Sequence, residues 1–99
     1  MKSSDKYYWT NHSLYKMRYY GLSQQRIKRI IRHPARVEEA IVPNMIAVMS
    51  PDKNKEIWAM YKLEKSQFKI ITAWRYPGKS PARHPIPQEI LDEIRNVIS

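Results

Sequence analysis

No cysteine occurs in the 99 residues, so disulfides, thiolate metal sites and cysteine nucleophiles are excluded and a reducing cytoplasm is the expected compartment. Glycine is almost as scarce, with only Gly21 and Gly78. A glycine-rich phosphate loop or a nucleophile elbow therefore cannot form, which sets aside nucleotidases and serine hydrolases built on those motifs. No pair of histidines has a carboxylate at metal-ligand spacing, so neither a metal nor any cofactor is expected. No apolar run reaches membrane-spanning length, and the opening MKSSDKYYWT lacks the apolar segment of a signal peptide. A soluble protein with no membrane partner is the expectation.

Acid is scarce where base is plentiful. Eighteen Lys and Arg against nine Asp and Glu give a net charge of +9. Residues 1 to 36 hold nine of the basic groups (Lys2, Lys6, Lys16, Arg18, Arg26, Lys28, Arg29, Arg32 and Arg36) against Asp5 alone, a net of +8. A polyanion is the natural partner for such a cluster. The competing reading, that excess Lys and Arg merely keep a small protein soluble, is weakened by their concentration in one third of the chain.

A hydrophobic fraction of 42% in so short a chain is enough for one modest core, so one domain over residues 1–99 is expected, with residues 1–85 as its body and 86–99 as a C-terminal helix. Aromatic KYYW at 6–9 suits a short strand, and Thr10 can cap a helix starting near Asn11 and ended by Gly21. Ser23 is placed to cap a second helix in which Ile27, Ile30 and Ile31 recur at helical spacing until Pro34 stops it. Beyond Val37 the period becomes two: ARVEEAIVP, MIAVMS, KEIWAMYKLE and QFKIITAWRY read as four antiparallel strands, with turns at 43–44, 50–54 and 65–66. Ile57, Ala59, Tyr61 and Leu63 are expected on one face, and likewise Phe68, Ile70, Thr72 and Trp74 on one face. PGKSPARHPIP breaks the pattern before a last helix near Pro87 carries Ile90, Leu91, Ile94, Val97 and Ile98 on an apolar side. The fold class expected is α+β: a short strand, a two-helix hairpin packed on one face of a four-stranded antiparallel sheet, and a closing helix.

At 100° per residue, Leu14, Met17 and Gly21 share one side of the first helix, and His12, Lys16 and Tyr19, with Tyr15 nearby, share the other. The first set is the expected core. The second combines a group that titrates near neutrality, a cation and phenols, which together suit a phosphate and a stacked base, although a helical histidine is as readily a cap or a surface residue. On the second helix Gln25, Lys28, Arg29 and Arg32 lie away from the isoleucines as a cationic face, suited to phosphate contact or to plain solvation. Trp58, Trp74 and Tyr61 could stack bases from the sheet, or fill its core.

The stretch HSLYKMRYYGLSQQRIKRIIRHP resembles the signature HAxxRMxxRGISxExVxxAIxxP of a family of small bacterial and phage proteins, and IITAWRYP resembles that family's closing strand. The family is similar to RelE-like toxins and to the BrnT toxin, within the barnase, EndoU, colicin and RelE ribonuclease fold. The likeness spans residues 6 to 77 and rests on His12, Met17, Gly21, Leu22, Ser23 and Pro34. Lys16 and Tyr20 stand where the pattern has arginines, so the second position carries no charge. The resemblance implies a metal-independent ribonuclease in which the RNA 2′-hydroxyl attacks the neighbouring phosphate, with His12 as acid or base, Lys16 as stabilising cation, and Arg75 and Tyr76 at the end of the last strand. Arg18 joins Gln25, Lys28, Arg29 and Arg32 in the expected nucleic-acid-binding set. RNA or the ribosome is the expected partner, and an acidic antitoxin protein and a homodimer are further partners to test. Two rival readings are a non-catalytic RNA-binding module with a decayed active site and a toxin-like inhibitor of a protein target. The last helix, with Glu89, Asp92 and Glu93 against Arg95, is read either as finishing the core or as shielding the basic surface or a dimer contact.

Overall fold

Thr10 shows how the first third of the chain is fixed. Its hydroxyl accepts the Ser13 N–H at 3.1 Å, capping helix α1 (Asn11–Tyr20), and donates to the Ile70 carbonyl at 2.7 Å, 60 residues further along the chain. The same residue thus starts a helix and moors it to a strand. The computed structural model describes residues 6–39 and 43–98, with side chains through residue 96. Before Thr10 lies strand β1 (Tyr7–Trp9); after α1 come helix α2 (Gln24–Arg32), strands β2 (Arg36–Glu39), β3 (Met45–Asp52), β4 (Lys55–Glu64) and β5 (Gln67–Tyr76), and helix α3 (Gln88–Ile98).

The caps are those the sequence marks. Gly21 takes a left-handed φ of 70°, and the N–H of Leu22 reaches the Met17 carbonyl at 2.8 Å, closing the last turn of α1. Ser23 accepts the Arg26 N–H at 3.1 Å, and Ile27, Ile30 and Ile31 of α2 are all buried. The Pro87 carbonyl accepts the first N–H groups of α3, from Ile90 and Leu91. The β4–β5 turn at Lys65 and Ser66 has two positive φ angles, 49° and 67°, the pairing that lets a two-residue hairpin follow the twist of its strands.

The fold is α+β, with a mixed sheet of five strands in the order β1-β5-β4-β3-β2. Where four strands were expected, β1 adds a fifth, running parallel to β5 with Tyr7 opposite Phe68 and Trp9 opposite Ile70. Three residues can hold an edge because their rings pack: Tyr7 stacks on Phe68 with centroids 5.2 Å apart. The expected strand ARVEEAIVP is described as β2 only to Glu39, and its residues 40–42 lie outside the described residues. The expected turn at 50–54 shrinks to Lys53 and Asn54, since β3 continues through Pro51 where β2 no longer pairs, an edge position that proline tolerates.

A second correction concerns the faces. Ile57, Ala59 and Tyr61 lie on the face covered by α1 and α2, together with Phe68, Ile70 and Ala73. Thr72 and Trp74 do not join them, because a bulge between Met60 and Tyr61 slips the register at Ile70 and Ile71 and sends the rest of β5 to the other side. That other side is not free: Ile86, Ile90 and Ile94 pack there on Trp58, Trp74, Met45, Ala47 and Met60. The helices therefore lie on both faces. Leu63 is exposed near the end of β4, and Leu14 is only half-buried. Since β1 accompanies only the first half of β5, α1 runs along the second half, from Thr10 at Ile70 to Tyr20 at Arg75. Tyr20 accordingly touches both apolar clusters.

Candidate functional site

Helix α1 reaches across the sheet edge toward α3, and one carboxylate meets it there. Glu93 Oε2 lies 2.5 Å from His12 Nε2, and Oε1 accepts from Lys16 Nζ at 2.9 Å. Thr72 Oγ1 on β5 donates to Oε2 at 3.1 Å. Spacing of i, i+4 puts His12 and Lys16 one above the other on α1, so both can meet a single acceptor. Lys16 is buried, 8% exposed, with its ammonium also 5.4 Å from the Tyr20 ring centroid. Burial pushes the Glu93 carboxyl up, but the hydrogen bonds from Lys16 and His12, the charge of Lys16 and the Thr72 hydroxyl together hold it below its ordinary value. Lys16, expected on an open functional face, is thus a neutralised, enclosed cation.

Arg75 is held as firmly on the opposite face of β5. Its Nε–H donates to the Tyr20 carbonyl at 3.0 Å, and Nη1 pairs with Asp52 Oδ2 at 2.8 Å; Arg26 takes the other Asp52 oxygen at 3.2 Å. Hydrogen bonds from Arg75 and Arg26 hold the Asp52 carboxyl below its ordinary value. Arg75 closes an unsatisfied carbonyl at the end of α1, which is a structural task. Tyr76 projects to the other side and packs, half-buried, against the Trp58 and Trp74 cluster. A cavity of about 500 Å³ is bordered by Lys16, Tyr20, Arg75, Tyr76 and Glu93, while His12 borders a different one, of about 330 Å³, with Tyr8, Asn11, Lys62 and Lys69. Three of the four catalytic candidates share one cavity and the fourth opens into its neighbour.

The binding candidates present a different picture. Arg18, Gln25, Arg29 and Arg32 are exposed, and none has an ion-pair or side-chain hydrogen-bond partner among the described residues. Lys28 is half-buried with its ammonium 5.1 Å from the Tyr7 ring centroid. Tyr15 and Tyr19, one turn apart on α1, are exposed as their helical positions foretell. Trp58 and Trp74 are core: they stack on each other in parallel, 5.7 Å apart, and neither reaches solvent. Among the described residues no group of three or more His, Cys, Asp and Glu could hold a metal ion, and no helix is long and apolar enough to cross a membrane.

Sequence reasoning missed Glu93 as a site residue, and with it Thr72, Tyr8, Lys62 and Lys69. Glu93 is one of three acids on α3, and only its place one turn after Ile90 and next to Ile94 hinted that it would sit at the margin of the packed face. Comparison with protein-family models, curated proteins and solved structures finds no match.

Proposed function

We propose that this chain binds RNA as a RelE-like toxin-type protein, through the cationic stripe of its helical hairpin. The observation that carries the reading is the contrast between two classes of cation. Lys16, Arg26, Arg36 and Arg75 are bound to carboxylates, whereas Arg18, Arg29 and Arg32 are exposed and unpaired among the described residues. Unpaired arginines on the helical hairpin, one on α1 and two on α2, are free to displace counterions from a phosphate backbone. The toxin class rests on the resemblance of residues 6 to 77, the ribosome is the RNA target to try first, and an acidic antitoxin would compete for the same arginines. The absence of cysteine supports a cytoplasmic setting.

A second reading, metal-independent cleavage, is favoured by the His12–Glu93 contact, since a carboxylate that fixes an imidazole is how a general base is oriented. Against it, the cations nominated to stabilise a phosphorane, Lys16 and Arg75, already serve Glu93 and Asp52. Purified protein mixed with total RNA, with and without chelator, tests both. Retarded RNA in low-salt gels is expected, and its absence would remove the binding reading. Cleavage, if it occurs by this route, should persist in chelator, leave 2′,3′-cyclic phosphate ends and fall ~10²-fold or more in His12→Ala; cleavage that needs magnesium would show the site to be misassigned.

A further inference from the structure

Register places a row of side chains across the sheet: Tyr8 of β1 opposite Lys69 of β5, Lys69 opposite Lys62 of β4, and Lys62 opposite Met45 of β3. Directly paired residues project from the same face, and Met45 belongs to the cluster beneath α3, so the row lies on the face that α3 covers elsewhere. Here it is uncovered. Tyr8 is 53% exposed, and the two lysine side chains are about one-third exposed.

The row is electrostatically unbalanced. Like charges directly opposite one another destabilise a sheet, yet Lys62 and Lys69 are cross-strand partners. Their ammonium groups share a single carboxylate, Glu64, at 3.2 and 3.8 Å. The start of α1 opens onto the same cavity, with Asn11 and His12 in its wall, and the first turn of that helix contains no acidic residue to offset its positive end. Two lysines and a helix N-terminus converge on a space of about 330 Å³, at the small end of the usual range for ligand pockets, while His12 is already held by Glu93. The lysines and the helix start favour an anion.

We infer that this groove is a subsite for single-stranded RNA, taking a backbone phosphate between Lys62, Lys69 and the start of α1 while an adjoining base stacks on Tyr8. It rests on the RNA-binding reading and adds to it a second surface, on the opposite face of the sheet from α2. The strand must be single, because a base has to leave its own stack to lie on a lone exposed phenol.

Fluorescence anisotropy at low salt tests this, with a labelled single-stranded oligoribonucleotide and its duplex titrated against wild type, Lys62→Gln/Lys69→Gln, Tyr8→Ala and Arg29→Glu/Arg32→Glu. The lysine variant relieves a like-charge pair and should fold at least as well as wild type, which circular dichroism melting checks. It is expected to bind the single strand about 10-fold or more weakly, with the slope of log affinity against log salt reduced by about 0.7, the value for losing one single-strand phosphate contact. Tyr8→Ala should weaken single-strand binding ~5-fold or more and leave the duplex unchanged. Wild-type affinity in both groove variants, with binding lost only in Arg29→Glu/Arg32→Glu, would overturn the groove and leave the helical stripe standing. Equal loss of single strand and duplex in Tyr8→Ala would overturn the stacking assignment, and a wild-type protein that binds neither RNA would overturn both readings.

Discussion

Lys16 and Glu93 are 77 positions apart in the chain and 2.9 Å apart in the fold. The enclosed ammonium pairs with no other carboxylate among the described residues, so removing this one leaves a charge with little access to water. Glu93→Gln is expected to destabilise the protein by about 2 kcal/mol, below the cost for a fully buried pair because Glu93 keeps some solvent contact, and to lower Tm by about 8–16 °C. Folding holds the Glu93 carboxyl below its ordinary value of 4.5. Its stabilising share is therefore complete above that value and is lost as pH falls through the lower, folded one. Acid titration followed by circular dichroism should show wild type losing stability below about pH 4.5, and Glu93→Gln losing less over the same interval. An identical acid profile for the two would mean that the Glu93 contacts contribute no net stability.

At the scale of elements, α3 completes the core, and through Glu93 it also covers His12 and Lys16. Ile90 and Ile94 are buried against the two stacked tryptophans, and the proline-broken segment leading to α3 is itself pinned, since Arg36 donates to Ser80 Oγ and to the carbonyls of Pro81 and Ala82. Ile94→Ala should cost about 2–5 kcal/mol, measured by urea denaturation. Deletion of residues 86–99 should give an unfolded or insoluble chain; a folded truncation with tighter RNA binding would make shielding, not the core, the main task of α3. Gly21→Ala makes a milder test at the end of α1. The left-handed φ is strained for alanine, but an added Cβ meets nothing within 4 Å, so a loss of about 1 kcal/mol is expected, from the backbone alone. Caps and helix starts were legible in the sequence because Thr10, Gly21, Ser23 and Pro87 act on their immediate neighbours. The bulge in β5 was not, since Ile70 and Ile71 are alike and only the register against β4 decides which face each takes. The joining of β1 to β5 was hidden for a related reason: pairing residues 7–9 with 68–70 needs the whole intervening chain folded. His12 was legible as a candidate, but the carboxylate it meets, on the last helix, was not.

For the molecule as a whole, the charge divides into a part consumed by the fold and a part left over. Asp52, Glu38, Glu64 and Glu93 each take up cations, yet the unpaired hairpin arginines and one positive charge of the Lys62–Lys69 pair, which shares only Glu64, remain in surplus on opposite sides of the sheet. Releasing paired arginines should then strengthen a polyanion partner's hold: Asp52→Asn is expected to tighten RNA binding while leaving the salt dependence as steep as in wild type or steeper, and unchanged binding would show that Arg26 and Arg75 are not near the RNA. The most direct test of the central claim is the affinity of wild type and Arg29→Glu/Arg32→Glu for one single-stranded oligoribonucleotide between ~50 and ~200 mM salt. The expected result is a steep fall in wild-type affinity across that interval, with the variant weaker throughout and its log–log slope shallower by at least 1.4, about 0.7 for each lost phosphate contact. A wild-type affinity that is flat in salt, or a variant that follows wild type at every point, would contradict RNA binding through the hairpin.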